Sequence, residues 1–205
     1  MPEQSRPELL VDFIITLDGY ASGEGWPGWW GLQGPEYLRW LDEQPENEYT
    51  ILMGANTYRQ MSGFSAQREQ GDADFTGDEE ASIDSLAQAD KVVFSSSLEP
   101  PYAWPNTEVI GGDAVDAVAE MKRSGTKSLR TIGSLSLCRS LMAAGLVDRF
   151  RVVLFPVITG KTGSERIYDG YQDYAMDLVE ARTFDGRLHL LEYVPTPIDG
   201  PPRNT

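Results

Sequence analysis

The stretch LLVDFIITLDGYA, residues 9–21, sets the starting point for reading the whole chain. Its first nine residues form a short apolar run rich in β-branched side chains, which predicts a buried strand. Asp18-Gly19 ends this run, because the dipeptide is typical of a turn. The chain therefore opens with a strand whose carboxyl end leads directly into a polar turn.

Strands and helices alternate downstream of this first strand. Further strands are predicted at residues 49–53, 91–95, 108–111, 128–132 and 149–155. Helices are predicted at residues 35–41, 57–61 and 114–123, and after Gly133-Ser134 as far as Met142. Asp113 is a suitable N-cap for the third helix, and Gly125 a suitable stop. This alternation predicts parallel strand pairing.

The last quarter of the chain follows a different pattern. Residues 177–184 and 187–194 flank Asp185-Gly186, a dipeptide that predicts a type I′ hairpin. The predicted fold class is therefore α/β: a mixed sheet, mostly parallel with a C-terminal antiparallel hairpin, flanked by helices. Residues 69–84 are acidic and contain glycine, which predicts a solvated surface loop. We predict one domain at 9–194, an N-terminal tail at 1–8 and a mobile C-terminal tail at 195–205.

Composition excludes several classes of function. The 205 residues include 17 Lys+Arg against 32 Asp+Glu, a formal net charge of -15. This balance opposes contacts with nucleic acid and with anionic membrane surfaces. No apolar run approaches the ~20 residues that span a bilayer. A single cysteine (Cys138) and a single histidine (His189) exclude the common zinc sites, so no metal is expected. The lone cysteine also favours a reducing, cytoplasmic setting.

Three junctions that follow predicted strands carry glycine or hydroxyl residues where a helix is expected to begin. They are Gly54-Ala55-Asn56-Thr57, Ser95-Ser96-Ser97 and Gly133-Ser134-Leu135-Ser136. Helix N-termini offer unpaired N–H groups and the positive end of a dipole, which suit phosphate. In an open α/β sheet these junctions lie where ligands bind, at the carboxyl ends of strands. Each could be a plain capping turn, but three together favour a dinucleotide.

Six short motifs give the chain a family resemblance. They are TLDGYA at 16–21, MGANTY at 53–58, VVFSSSL at 92–98, IGSLSL at 132–137, GLVD at 145–148 and FPVITG at 155–160. In this order they resemble the dihydrofolate-reductase-like family, in the branch that includes the reductase domain of riboflavin biosynthesis. The resemblance implies a dihydrofolate-reductase-like mixed sheet that binds a reduced nicotinamide cofactor, usually NADPH, with NADH as the other option.

The resemblance also implies roles for individual residues. Gly54, Asn56 and Thr57 lie where the family holds the cofactor phosphates, with Ala55 in place of a family arginine that pairs with the phosphate distinguishing NADPH from NADH. Arg59, Lys91 and Arg139 are the candidates to replace it. The remaining implied cofactor contacts are Ser95 and Ser96 at the adenosine end, Gly133, Ser134, Leu135 and Ser136 under the diphosphate, and Thr16, Gly19 and Ala21 beside the nicotinamide.

Four further side chains are candidates for the chemistry itself. Asp18 follows the strand beside the expected nicotinamide, where it could relay a proton or cap a turn. Trp26, Trp29 and Trp30 lie in the next loop, where they could stack on a substrate or anchor the loop as buried aromatics.

The chain is predicted to be an NAD(P)H-dependent oxidoreductase. Its expected substrate is a small pyrimidine- or pterin-like heterocycle, as for 5-amino-6-(5-phosphoribosylamino)uracil reductase. The zinc deaminase motif of the bifunctional family members is absent. The alternative is a nucleotide-binding module that keeps the fold without turnover, which Ala55 and the lack of an evident proton donor favour. The apolar hairpin strands suit a homodimer, as in relatives.

Overall fold

The computed structural model describes residues 6–25, 30–44, 48–70 and 77–200. These residues form ten strands and five α-helices. The strands are β1 (Leu9–Thr16), β2 (Tyr20–Gly23), β3 (Tyr49–Gly54), β4 (Lys91–Phe94), β5 (Thr107–Ile110), β6 (Ser128–Thr131), β7 (Arg149–Phe155), β8 (Gly163–Arg166), β9 (Tyr174–Phe184) and β10 (Leu188–Pro197). The helices are α1 (Pro35–Asp42), α2 (Ala55–Gln70), α3 (Gly77–Gln88), α4 (Ala114–Ser124) and α5 (Leu135–Ala143).

Eight strands form one sheet in the order β5-β4-β3-β6-β1-β7-β10-β9. The pairs from β5 through β7 are parallel, and β10 pairs antiparallel with β7 and β9. Asp185 and Gly186 join the last two strands with φ of 51° and 66°, as a type I′ turn requires. The predicted fold class, a mostly parallel mixed sheet with a C-terminal antiparallel hairpin, is confirmed.

Alternating side chains of β1 face two different layers. Leu9, Val11, Phe13 and Ile15 are buried with the apolar residues of α4 and α5. Asp12 and Ile14 lie on the opposite face, where α1 supplies Tyr37 and Trp40. The sheet is therefore covered on both sides, and β1 carries one charged side chain in its middle.

The hairpin turn caps helix α1 from a distance in sequence. The Asp185 carboxylate accepts hydrogen bonds from the backbone N–H groups of Glu36 (3.0 Å) and Tyr37 (3.2 Å). Glu36 in turn accepts one from the Asp185 N–H at 2.6 Å. Gly34 permits this approach, since a Cβ there would lie 2.3 Å from Asp185 Cγ. These reciprocal bonds satisfy helix donors that lack intrahelical partners and fix α1 against the hairpin.

The acidic loop predicted at 69–84 is wrong for residues 69–70 and 77–84, which are helical, and residues 71–76 lie outside the described residues. Helix α2 continues to Gln70 rather than stopping at Met61, and α3 begins at Gly77. Acidic residues stabilise the start of a helix through its dipole, so acid content does not exclude helix. Ile83 and Leu86 lie one turn apart on α3 and supply its apolar contacts.

Two other elements differ from prediction. β2 and β8 pair antiparallel in a separate two-stranded sheet, which their short, glycine-containing sequences did not indicate. β10 runs to Pro197, three residues past the predicted domain end, because Pro195, Thr196 and Pro197 still pair with β9. The tail therefore begins later than residue 195, and its last residues, 201–205, lie outside the described residues.

Candidate functional site

The segments predicted to contact a cofactor form a row along one edge of the sheet. β4, β3, β6 and β1 are neighbours in this order and run parallel. Because the carboxyl ends of parallel strands share an edge, the segments that follow these strands line up. Along the row they are residues 95–97, 54–57, 133–136 and 17–21.

A serine hydroxyl joins the two central segments. Ser134 Oγ accepts a hydrogen bond from the Gly54 N–H and donates one to Thr57 Oγ1, each at 2.8 Å. The bond to Thr57 uses the hydroxyl hydrogen of Ser134, so this hydrogen is not available to the phosphate that the sequence predicted here. Ser134 therefore aligns the starts of α2 and α5, and only backbone N–H groups remain there to bind an anion.

The start of α5 fits an anionic group. Gly133 and Ser134 are both left-handed, with φ of 56° and 63°, and Ser134 makes no side-chain capping bond to the helix. The N–H groups in the first turn of α5, including those of Leu135 and Ser136, consequently receive no side-chain acceptor from the N-cap residue. A Cβ at Gly133 would lie 3.3 Å from Thr57 Cγ2. This close approach of two loops is compatible with a glycine and crowded for any larger residue.

The Ser95 junction differs from its prediction, because no helix follows β4. Ser95 Oγ instead accepts hydrogen bonds from the N–H groups of Ser97 (3.1 Å) and Leu98 (3.0 Å). This is a serine turn, in which the hydroxyl replaces a backbone acceptor. Ser96 is exposed beside it. The segment keeps its place at the end of the row but offers no helix dipole.

A cavity of ≈ 230 Å³ opens beside the β6 and β1 end of the row. It lies between the sheet and helices α1, α2 and α3. Its apolar wall includes Ile14, Trp40, Met61, Phe64, Ile83, Leu86 and Val153. Its polar lining among the described residues is Asp12, Tyr37, Ser82 and Arg130. Gly133 and Ala21 also line it, so the cavity meets the row at the segments predicted to border a diphosphate and a nicotinamide.

A buried ion cluster forms part of the cavity lining, and sequence reasoning did not find it. Asp12 on β1 binds Arg130 on β6 and Arg151 on β7, each with an N···O distance of 2.7 Å. The three side chains are at most 10% exposed. Burial opposes ionisation, but the two guanidinium groups prevail and lower the pKa of Asp12 to about 2. A charged residue inside an apolar strand was the available signal.

The structure places Asp18 in a turn-tying role. Its carboxylate accepts hydrogen bonds from Thr16 Oγ1 at 2.7 Å and from the Thr159 N–H at 3.2 Å. Burial raises its pKa, but these hydrogen bonds outweigh that effect and hold the pKa below its ordinary value. Asp18 is also not among the residues that line the cavity. The structure therefore shows the turn-capping alternative at Asp18, and the proton relay stays a prediction.

Two predicted nicotinamide contacts also support this turn. Thr16 is buried, and its hydroxyl accepts a bond from the Tyr20 N–H at 3.0 Å. Gly19 has a φ of 88°, and a Cβ there would lie 2.7 Å from the Tyr168 ring. Ala21, in contrast, lies at the cavity. Of the nicotinamide-side residues, only Ala21 has a described surface toward the cavity.

The predicted tryptophan wall is not formed by Trp30. Its side chain is 2% exposed and packs in the core cluster with Tyr37, Phe155 and Phe184. Trp30 is also not among the residues that line the cavity, so it is a loop anchor. Trp26 and Trp29 lie outside the described residues.

The three cations considered as replacements for the arginine missing at Ala55 differ in position. Lys91 is 2% exposed and donates to the carbonyls of Ala87, Ala89 and Pro105, so it cannot reach a ligand. Arg139 lies beside Gly170, near the middle of α5. Arg59 is exposed on the first turns of α2 and contacts Asn56 Oδ1 at 3.4 Å. Arg59 is thus the cation nearest to Ala55 along α2.

The sheet order, the parallel row of loops and the adjoining cavity define an α/β protein with the dihydrofolate-reductase-like fold. The chain belongs to the RibD C-terminal domain family, whose profile matches residues 7–190. This confirms the family resemblance drawn from the six motifs. The protein is also similar to the "Uncharacterized protein YyaP" of Bacillus subtilis, with 24% identity over 194 residues, 90% of this chain and 93% of YyaP.

Solved structures share the fold at low identity. A putative riboflavin biosynthesis protein from Shewanella sp. PV-4 aligns with a TM-score of 0.61 and 16% identity, over 92% of this chain and 99% of that one. A pyrimidine reductase-like protein from Corynebacterium diphtheriae aligns with a TM-score of 0.60 and 14% identity, over 93% and 92%. A deaminase/5-amino-6-(5-phosphoribosylamino)uracil reductase from Thermotoga maritima aligns with a TM-score of 0.61 and 17% identity, over 94% and 58%.

Two kinds of feature are not found in the described part of the chain. None of its helices is long and apolar enough to cross a membrane. No group of three or more His, Cys, Asp or Glu side chains within residues 6–25, 30–44, 48–70 and 77–200 is arranged to hold a metal ion.

Asp12 makes the stability of the protein sensitive to acid. Its pKa of about 2 in the folded state lies below the ordinary 3.8, so its ion pairs stabilise the fold above about pH 4 and weaken as the pH falls toward 2. We expect Asp12→Asn to lower the unfolding free energy at pH 7 by about 3–5 kcal/mol, because two guanidinium groups lose their partner. The loss should shrink between pH 4 and pH 2. Urea unfolding at a series of pH values measures both effects.

Asp90→Asn is the matched control, since Asp90 pairs with Lys127 at the exposed surface. An exposed pair contributes less than about 1 kcal/mol, so this variant should unfold almost as the parent does. Equal losses in the two variants would contradict the role given to Asp12.

Proposed function

We propose that the protein is an NADPH-dependent reductase of a small pyrimidine- or pterin-like heterocycle, similar in reaction to 5-amino-6-(5-phosphoribosylamino)uracil reductase. The supporting observation is the order of the loops at the sheet edge. Residues 95–97, 54–57, 133–136 and 17–21 follow four adjacent parallel strands. This is the sequence of contacts that adenosine, phosphates and nicotinamide of one extended dinucleotide would need. The low identities to solved structures support the fold alone.

The residues of the row would hold the cofactor mainly through backbone groups. The N–H groups at Leu135 and Ser136 would bind the diphosphate, and Gly133 would allow it to approach. Gly54, Asn56 and Thr57 would hold the cofactor phosphates, and Ser95 and Ser96 the adenosine end. Ala21 would border the nicotinamide, with Thr16 and Gly19 shaping the turn behind it. NADPH supplies a hydride when it is bound. The chain's own contribution is to orient the ring and keep water away from it.

The cavity is the proposed substrate site. It reaches the row at Gly133 and Ala21, and its apolar wall includes Trp40 and Phe64. Apolar pockets with a few polar groups are typical of small-molecule sites, and burial in one excludes water from a bound ring. Asp12 and Arg130 supply the charged part of its lining.

The alternative is a nucleotide-binding module without turnover. It is favoured by the chemistry of the cavity, because reduction of a C=N bond adds a hydride to the carbon and also requires a proton for the nitrogen. The described lining contains one carboxyl group, and Asp12 is ionised at neutral pH. Asp18 is tied into its turn. In the reductase, solvent would therefore have to deliver the proton.

Cofactor binding and oxidation separate the two functions. Tryptophan fluorescence during titration with NADPH and NADH measures binding, and loss of absorbance at the nicotinamide band measures turnover with pterins and pyrimidines. Binding with turnover supports the reductase, and binding without turnover on any substrate supports the module. Absence of saturable binding for both cofactors would refute both.

Gly133→Val tests the row directly. We expect cofactor affinity to fall more than tenfold, over ~1.4 kcal/mol, because the valine side chain would crowd Thr57 and block the start of α5. Ser134→Ala should also weaken binding, because the bridge to Gly54 and Thr57 is lost. Isothermal titration calorimetry gives the affinities, and circular dichroism confirms folding.

Gly145→Val is the matched control for Gly133→Val. Gly145 lies at the other end of α5 with a φ of 65°, and a Cβ there meets no atom within 4 Å. The backbone strain is therefore similar, but the row is untouched, so cofactor affinity should not change. Unaltered affinity in a well-folded Gly133→Val protein would place the diphosphate elsewhere.

Ala55→Arg tests the cofactor preference. An arginine–phosphate pair contributes about 1.5–3 kcal/mol, so the variant should bind NADPH at least about tenfold more tightly and NADH nearly as before. Ala55→Gln controls for side-chain length without charge. If NADPH binding by Ala55→Arg matches that of the glutamine variant, residue 55 does not face the distinguishing phosphate.

We also propose a cytoplasmic homodimer assembled through β9. This strand is the edge of the sheet, and its Leu178 and Val179 are 58% and 49% exposed. An open edge with apolar side chains can pair with another chain. Light scattering should give twice the monomer mass, and Leu178→Lys should shift it toward the monomer. A monomeric parent protein at micromolar concentration would refute the dimer.

A further inference from the structure

The cavity is small for a substrate that carries a phosphoribosyl group. Its volume of ≈ 230 Å³ falls below the ~300–1,000 Å³ of pockets that hold drug-sized ligands. Trp40 and Phe64 give it aromatic walls. The space therefore suits one flat ring system rather than a ring that carries a sugar phosphate.

The charges at the cavity oppose a phosphate group. Arg130 is the one cation among the described lining residues, and it is already paired with Asp12, which also binds Arg151. Helix α3, which lines the cavity through Ser82 and Ile83, carries exposed Glu80 and Asp84. Phosphate recognition requires cationic or N–H donors that are available to bind it. Arg130 is engaged in the ion cluster, and the acidic residues of α3 disfavour a further anion on that side of the cavity.

The cavity also holds an unused polar group. Tyr37 is 0% exposed, and its hydroxyl has no hydrogen-bond partner among the described residues. Burial, reinforced by the Asp12 carboxylate, raises the pKa of Tyr37 above its ordinary value, so the hydroxyl stays protonated and can donate. A buried hydroxyl without a partner is costly to the fold and is explained when a ligand supplies the partner.

We infer that the cavity binds a flat, neutral heterocycle without a phosphoribosyl group, and that the Tyr37 hydroxyl hydrogen-bonds its polar edge. The inference rests on the proposed function for its location, because it assigns the substrate class of the same site. It separates this chain from a reductase of phosphoribosylated pyrimidines. The apolar walls contact the two faces of the ring, and the Tyr37 hydroxyl donates a hydrogen bond to a polar atom at its edge.

Matched ligand pairs test the substrate class. The probes are 6-hydroxymethylpterin and its phosphate ester, and uracil and uridine 5′-monophosphate, titrated calorimetrically into the full chain. We expect the unphosphorylated member of a pair to bind at least tenfold more tightly. Equal or tighter binding of the phosphorylated member overturns the inference. So does the absence of binding by every probe up to about 1 mM.

Tyr37→Phe tests the polar contact. It should weaken binding of the unphosphorylated probe about three- to tenfold while leaving the melting temperature of the free protein unchanged or higher, because an unpaired hydroxyl is removed. Tyr171→Phe is the matched control. Tyr171 also has a buried hydroxyl without a partner among the described residues, but it does not line the cavity. Unchanged affinity in Tyr37→Phe, or equal losses in both variants, overturns the role of Tyr37.

The measurements distinguish failure of this inference from failure of the reductase proposal. NADPH affinity is measured in the same variants, and Tyr37→Phe should leave it unchanged. If NADPH does not bind but the unphosphorylated probes do, the proposed reductase fails and the ligand class stands. If NADPH binds and phosphorylated probes bind more tightly, the ligand class fails and the reductase stands.

Discussion

The two ion pairs of Asp12 constrain the centre of the molecule. Its carboxylate joins β6 on one side of β1 and β7 on the other, so three adjacent strands share one buried charge. Once both guanidinium groups are buried, the carboxylate must remain, because an unpaired buried charge is far more costly than the pair. Arg151 is held further by the Trp40 ring, 5.0 Å away. The lining of the cavity and the packing of α1 thus depend on the same three side chains.

Parallel pairing determines the rest of the site. The β4-β3-β6-β1 order puts four loops in one row, although Thr16 and Ser134 are far apart in sequence. Ser134 then fixes the relative position of two of these segments, because its hydroxyl bonds to both Gly54 and Thr57. A row of backbone donors fixed in this way needs few specific side chains. In the proposed function, cofactor binding through these backbone groups is therefore compatible with alanine at position 55.

The sequence predicted what local patterns control. Apolar runs gave β1 and β7, Asp113 gave the start of α4, and Asp185-Gly186 gave the hairpin turn. The sequence-based prediction failed where one local pattern is compatible with two different structures. A serine after a strand can start a helix or close a turn, and Ser95 closes a turn. The partners of Asp12 lie 118 and 139 residues away, so the ion cluster depends on the tertiary arrangement. The cavity follows from that arrangement too.

The structure divides the motif residues into two groups with different physical roles. Thr16, Asp18 and Gly19 form a turn in which Thr16 bonds to Asp18 and to the Tyr20 N–H, and Gly19 has a positive φ. These motif residues are therefore explained by the shape of the backbone in the turn. Gly133 and Ala21 instead lie where the row meets the cavity. In the proposed function, the cofactor row and the substrate cavity therefore share these two described positions. The same elements carry both sets of residues, because Asp12 and Thr16 lie on β1 and Arg130 on β6 precedes Gly133 by three residues. A substitution in the cavity lining on β1 or β6 is therefore expected to act on the row as well.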